Sequence, residues 1–336
     1  MRYIRGVFIP IIALCLWCNL SLMALANSST YLASNNETTS VEKPTEKLIQ
    51  GEHRVTINGA TLTYYVSGNG PVCLAHPGGP GFGGAYLKMP EVEKEFTMVY
   101  LDPVGTGKSE RLKNLADYNF SRYVDDMEKL RQYLQLDKFY LLGHSHGGMV
   151  AQLYAIQYSA HLNGLILYGT TPTTDDAYKR DVSANLFWFI DRPWFWQALM
   201  GFRESTLATT DEQAASAFQK CVGFYFADYD NHKGEIDPVL KQIHFSLGPN
   251  KGFYQNMGVF DTRDRLSLIG VPTLILTGVK DFVCPVKYAE EMQQRIPGSK
   301  LVLFQNSGHM PHFEEPRNFA KAIGEFLSDK SNHRIK

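Results

Sequence analysis

The hydrophobic positions of this chain change period repeatedly along its length, and the changes mark its elements. From Arg54 to Gly68 apolar and β-branched residues form two short runs joined by Asn58-Gly59, the dipeptide that best suits a two-residue hairpin. Short apolar runs bounded by Gly and Pro then recur at 71–76, 96–102, 139–145, 162–169, 271–278 and 299–306. Runs of that length without a helical period predict strands buried on both faces. Between them the spacing turns helical. Tyr123, Met127, Leu130 and Leu134 share one face of a helix over 121–136, a second helix is expected over 146–160, and others start near Val286 and Pro316. Repeated strand–helix units predict an α/β fold, with a mostly parallel central sheet covered by helices on both faces.

The segment 171–268 breaks this rhythm. It holds Trp188, Trp194 and Trp196, three of the four tryptophans, within stretches rich in helix formers. It reads as a helical cap inserted into a core made of 51–170 and 269–336, its aromatics serving mainly to pack the cap itself. The start of the chain differs again. Arg2 and Arg5 precede an apolar run from Val7 to Leu25 that ends in Ala24-Leu25-Ala26. This pattern predicts a signal peptide over 1–26 and therefore export to the periplasm or beyond, an uncleaved anchor being the alternative. The polar stretch 27–50 is expected to be a flexible linker, with structure beginning near Arg54.

Composition changes the picture little. At 336 residues, 44% hydrophobic and 20% charged with a formal net charge of −1, the chain is an ordinary globular protein without the basic footprint of a nucleic-acid binder. After signal cleavage Cys73, Cys221 and Cys284 remain. They are too few for a disulfide framework and lack zinc-ligand spacing, so they read as small buried residues. No metal or cofactor is implied. Nor is stable membrane association expected once the signal is removed, and the oligomeric state is not set by the sequence.

Two stretches invite a chemical reading. Gly107-Lys108-Ser109 could end a phosphate-binding loop, but the opening glycine of that motif would fall on Asp102, a carboxylate where a phosphate must dock. The stretch 102–109 is therefore expected to be a structural turn. The other, Gly143-His144-Ser145-His146-Gly147, is a G-x-S-x-G sequence between an apolar strand and a helix, the setting of a nucleophile elbow. Its glycines remove the side chains that a tight strand-to-helix turn cannot hold.

A serine hydroxyl needs a base, and the base needs an orienting carboxylate. Asp281 and His309 follow successive strands, at the C-terminal ends where parallel sheets present functional groups. Asp175 and Asp176 are rival acids. His312 is expected to be structural, and His144 to point away from the serine. The backbone N–H of His146 and one from the loop His76 to Gly81, with Gly79 preferred over Gly78, would stabilise an oxyanion.

Together these pieces resemble the α/β-hydrolase superfamily over about Arg54 to Ser328. The sequences HPGGPG, LDPVGTGKS and GHSHGG, with Gly278 to Pro285 and Gly308-His309, are similar to its proline iminopeptidase branch. The resemblance implies an α/β-hydrolase fold and a serine hydrolase with an acyl-enzyme intermediate, and the signal pattern makes it an exported one. It further implies removal of an N-terminal residue, proline first, from short peptides. A carboxylesterase or lactonase acting on apolar acyl substrates is the alternative, and a non-catalytic binding protein on the same fold the more distant one. Two departures stand out. Pro77 replaces the branch's histidine, and the segment VGFYFADYD lacks the glutamate with which the branch holds a substrate ammonium. Glu204, Asp228, Asp230 and Glu235 are then candidate cap acids, with Glu204 and Trp188 taken as substrate-binding residues.

Overall fold

The computed structural model describes residues 46–240 and 244–331. The expected signal peptide and nearly all of the linker lie outside them. The last residues of the linker do not behave as its composition predicts. Glu46–Leu48 form a 3-10 turn, and Lys47 is buried, its ammonium donating to the Tyr133 carbonyl at 2.9 Å and lying 4.0 Å from the Tyr133 ring centre. A lysine's long stem packs on an aromatic face while its head finds an acceptor, so a polar residue can anchor a chain end.

Eight strands form one sheet: β1 (Gly51–Ile57), β2 (Ala60–Gly68), β3 (Val72–His76), β4 (Thr97–Asp102), β5 (Phe139–His144), β6 (Leu162–Tyr168), β7 (Thr273–Gly278) and β8 (Lys300–Phe304). Their order is β1-β2-β4-β3-β5-β6-β7-β8. The β1–β2 and β2–β4 pairs are antiparallel and every other pair is parallel. Asn58 and Gly59 turn the β1–β2 hairpin with φ of 52° and 74°, the positive values that a two-residue turn needs to match strand twist.

The continuous apolar runs divide by the period of two into two cores. Leu74, Val99, Leu101, Leu141, Leu165, Leu167 and Ile275 face one way. They pack with Met127 and Leu130 of α1 (Phe120–Tyr133), Tyr154 of α2 (His146–Tyr158), and further helices. Cys73, Ala75, Met98, Tyr100, Leu142, Ile166, Tyr168, Leu274 and Leu276 face the other way, onto Phe319, Ile323 and Phe326 of the C-terminal helix Pro316–Ser331. Each fully buried Val, Leu, Ile, Phe or Met among them contributes about 1.5–3 kcal/mol.

Between β6 and β7 the elements are helical: α3 (Asp176–Asn185), α4 (Phe195–Leu207), α5 (Asp211–Cys221), α6 (Tyr229–Leu240) and α7 (Leu247–Asn256), with 3-10 turns between them. Phe189, Phe195 and Phe224 form a separate buried cluster there, joined by Phe282 from the loop after β7, with Trp194 packed against it. Cys73, Cys221 and Cys284 are buried free thiols. No helix among the described residues is long and apolar enough to cross a membrane.

Candidate active site

The loop 102–109 is held as a turn by its own aspartate. One Asp102 oxygen accepts from the Gly84 N–H at 2.8 Å, and the other accepts from the Lys108 N–H at 2.9 Å and the Tyr65 hydroxyl at 3.2 Å. The Ser109 hydroxyl donates to the Asp102 carbonyl at 2.6 Å and accepts from the Thr63 N–H at 2.8 Å. With the Lys108 N–H and the Ser109 hydroxyl turned onto Asp102, and the N–H groups of Gly105, Thr106 and Ser109 on backbone carbonyls, the loop has no cradle of free N–H groups for a phosphate.

At the end of β5 the chain reverses sharply into α2. Ser145 sits at the bend with φ 54° and ψ −121°, a conformation rarely adopted by a residue with a side chain. The turn closes because Gly143 and Gly147 lack a Cβ. One at Gly147 would stand 2.3 Å from the His76 carbonyl oxygen, and one at Gly143 would stand 2.4 Å from the Gly147 carbonyl oxygen. The bend is locked by the Ser145 N–H donating to the Tyr168 carbonyl at 2.9 Å, and by the Thr170 hydroxyl donating to the Ser145 carbonyl at 2.8 Å.

Asp281 and His309 meet from the loops after β7 and β8. Both are buried, and His309 donates through Nδ1 to Asp281 Oδ2 at 2.7 Å. Asp281 Oδ1 accepts from the N–H groups of Val283 at 3.0 Å and Cys284 at 2.8 Å. The His309 N–H donates to the Tyr225 carbonyl at 2.7 Å, so the cap also holds this residue. Committing Nδ1 to Asp281 leaves Nε2 as the basic nitrogen. His309 and Ser145 line one cavity, with no direct hydrogen bond from the Ser145 hydroxyl to the ring among the described residues. Contacts of this kind are often long before substrate binds.

Gly78, Gly79 and His146 line the same cavity. His146 is the first residue of α2, where a backbone N–H has no intrahelical partner. Gly78 donates to the Tyr86 hydroxyl at 2.6 Å, which leaves Gly79, with φ 118°, as the loop glycine beside the serine whose N–H is not so engaged. The His146 ring lies outside this chemistry. It stacks on Phe120 and meets Phe253 edge-on, and burial holds it well below the ordinary imidazole range, hence neutral.

The other sequence-picked residues lie elsewhere. Asp175 caps α3 through the Tyr178 N–H and pairs with Arg263, and Asp176 is exposed beside Lys179. Glu204 pairs with Lys220 and lines a separate surface depression with Leu207 and Glu212. Trp188 is 53% exposed on the cap and does not line the Ser145 cavity. Asp230 accepts from the Trp194 indole and pairs with Arg192, Asp228 accepts from Asn231, and the side chain of Glu235 lies outside the described residues.

Two residues escape a sequence reading. Glu314 accepts from the N–H groups of Gly308 and Ala227, both at 2.7 Å, and so joins the loop of His309 to the cap. Burial, opposed by these bonds, pushes its carboxyl up to about 7. His144 turns away from Ser145 but is not idle. Its Nδ1 lies 2.6 Å from the Tyr86 hydroxyl and its Nε2 3.2 Å from the His309 carbonyl oxygen.

The cavity wall is largely aromatic and aliphatic: Phe82, Phe218, Tyr225, Phe253 and Tyr254 with Met149, Val182 and Met257. Lys179, paired with Asp176, is the one lysine or arginine of its lining, and no carboxylate lines it among the described residues.

Known proteins agree with this architecture. A family model described as alpha/beta hydrolase fold matches residues 71–316. A proline iminopeptidase of Saccharolobus solfataricus is 28% identical over 282 residues, covering 79% of this chain and 87% of that protein. Among solved structures, an alpha/beta fold family hydrolase from Bacillus anthracis str. Sterne superposes with a TM-score of 0.68 at 21% identity, covering 82% of this chain and 98% of the other. An esterase from Exiguobacterium antarcticum does so with a TM-score of 0.59 at 25% identity, covering 80% and 96%.

Proposed function

The chain belongs to the α/β-hydrolase fold family, and from that premise we propose that it is a serine hydrolase with Ser145 as nucleophile, His309 as base and Asp281 as the orienting acid. Ser145 Oγ attacks the substrate carbonyl as its proton passes to His309 Nε2. The N–H groups of His146 and Gly79 receive the developing oxyanion, a contribution of about 3 kcal/mol for each such donor in serine proteases. Collapse of the tetrahedral species expels the leaving group, which takes the proton from His309. Water, deprotonated by the same imidazole, then attacks the acyl-enzyme and releases the acid. Asp281 holds the ring in the tautomer that leaves Nε2 basic.

The cavity wall bears on the substrate class. An ammonium group brought into an apolar cavity loses its hydration, and a carboxylate is the strongest compensation for it. Here the wall offers aromatic rings and a lysine. That observation carries the reading: the substrate is an ester, open or cyclic, of an apolar carboxylic acid without a free amino group at the acyl end. The similarity to an esterase supports it. Release of N-terminal proline is the second reading, supported by the similarity to a protein named proline iminopeptidase. Parallel assays of p-nitrophenyl butyrate and proline β-naphthylamide separate the two. Ester turnover with no amide cleavage is expected, and efficient amide cleavage with no ester turnover would reverse the order.

Export is the final part of the proposal, supported by the basic start, apolar run and Ala24-Leu25-Ala26 of the sequence. N-terminal sequencing of the protein recovered outside the cytoplasm should begin at Asn27. A chain confined to the cytosol and starting at Met1 would refute it.

A further inference from the structure

A buried chain of hydrogen bonds joins the loop that carries Gly79 to the loop that carries His309. The Gly78 N–H donates to the Tyr86 hydroxyl at 2.6 Å. That hydroxyl lies 2.6 Å from His144 Nδ1, and His144 Nε2 lies 3.2 Å from the His309 carbonyl oxygen. The proton positions follow from the partners. A carbonyl can only accept, so His144 carries its proton on Nε2 and donates it to His309. Nδ1 is then an acceptor, and the Tyr86 hydroxyl uses its one proton on it while accepting from Gly78. Burial, with the neighbouring His309 and His312 rings, holds His144 well below the ordinary imidazole range, which keeps it neutral and this arrangement single.

The same tyrosine is fixed a second time. His312 Nε2 lies 3.0 Å from the Tyr86 carbonyl oxygen and therefore donates to it, while His312 Nδ1 accepts from the Tyr168 hydroxyl at 2.6 Å. Tyr86, His144 and His312 are all buried. Each end of the chain lies within one residue of an atom the proposed reaction uses. Gly78 precedes Gly79, His144 precedes Ser145, and the last acceptor belongs to His309 itself.

From this geometry we infer that Tyr86 and His144 are positioning residues, a tether that sets the oxyanion loop against the nucleophile elbow and the base loop. The inference rests on the proposed roles of Ser145, His309 and Gly79. Tyr86 and His144 line the Ser145 cavity, but their polar atoms are engaged with Gly78, with each other and with the His309 carbonyl. The tether acts on the position of the Gly79 N–H relative to the tetrahedral oxygen, so it matters more in the transition state than in the ground state.

The test uses purified full-length variants and p-nitrophenyl butyrate, with a phenylboronic acid as tetrahedral mimic and butyrate as planar product. Tyr86→Phe keeps the ring but leaves the Gly78 N–H and His144 Nδ1 without the hydroxyl. It is expected to lower kcat by at least about tenfold, with KM within about threefold. Boronate affinity should fall in parallel with kcat/KM while butyrate inhibition is unchanged. His144→Gln can accept from Tyr86 through its oxygen and donate to His309 through its nitrogen, and should retain most of the activity, whereas His144→Leu should match Tyr86→Phe. Wild-type kcat and boronate affinity in Tyr86→Phe would overturn the inference. So would a rise in KM alone, or equal activities of His144→Gln and His144→Leu. If Tyr86→Phe does not fold, the His144 pair decides. Activity surviving in Ser145→Ala would instead strike at the nucleophile assignment, so the two failures are distinguishable.

Discussion

His309 donates through Nδ1 to Asp281 Oδ2 at 2.7 Å, while the second oxygen of Asp281 is occupied by the N–H groups of Val283 and Cys284. The carboxylate therefore cannot rotate without losing two backbone bonds. In Asp281→Asn the amide oxygen must stay on those two N–H groups, which turns the amide nitrogen toward His309. The ring would then accept at Nδ1 and carry its proton on Nε2, the wrong tautomer for a base. We expect kcat to fall by about 10³–10⁴-fold with the fold intact by circular dichroism. A loss below tenfold would show that Asp281 does not orient the base.

The elbow makes a prediction about stability. A Cβ at Gly147 would meet the His76 and Pro77 carbonyl oxygens at 2.3 and 2.4 Å, both on backbone that cannot swing away. Gly147→Ala should therefore lower unfolding free energy by about 2 kcal/mol or more, read from the urea midpoint at unchanged slope, and abolish activity. An unaltered midpoint would mean that β3 and α2 are less tightly apposed than the structure has them.

Glu314 makes a prediction about pH. Its carboxyl is pushed from an ordinary value of 4.5 up to about 7, chiefly by burial and also by nearby Glu315, against the backbone donors that favour its charged form. The folded state thus binds this proton more tightly than the unfolded state. The resulting stabilisation is fully present below pH 4.5 and is lost as pH rises through 7, by about 3 kcal/mol at most. Glu314→Gln should flatten the stability profile between pH 5 and 8. An equally steep fall in the variant would assign the slope to another group.

The cavity wall makes a prediction about specificity. Lys179→Ala removes the one lysine or arginine lining the cavity among the described residues. If the wall selects against ammonium by lacking a carboxylate, this variant should gain less than about tenfold in kcat/KM on proline β-naphthylamide. A larger gain would locate the selection in Lys179 itself.

The parts of the fold that sequence reading reaches are those governed by local rules. Five of the six apolar runs appear as buried inner strands because such a strand has to be continuously apolar, as Leu141 to Leu142 and Leu165 to Leu167 are, whereas the sixth, β8, is the sheet edge and buries only Phe304. Ser145, Asp281 and His309 are conspicuous because each follows a strand, and the structure gathers all three beside one cavity or behind its wall. The roles of Tyr86, His144 and Glu314 are hidden because their partners are remote: His144 and His309 are 165 positions apart. The placement of the cap acids is hidden for the same reason. Nothing in the local sequence says that Glu204 faces Lys220 instead of the serine, or that the nearest equivalents of a substrate-holding glutamate turn outward onto Trp194 and Asn231. At the other end, Lys47 belongs to a polar stretch by composition but is buried by a contact with Tyr133 that only the folded chain supplies.

The most direct measurement is intact-mass analysis after exposure to a fluorophosphonate, followed by peptide mapping. One adduct per chain, on Ser145, formed quickly by the wild type, slowly by His309→Ala and not at all by Ser145→Ala, is the expected result. An unlabelled wild type, or a Ser145→Ala variant that is labelled as fast, would contradict an activated serine at the β5–α2 bend.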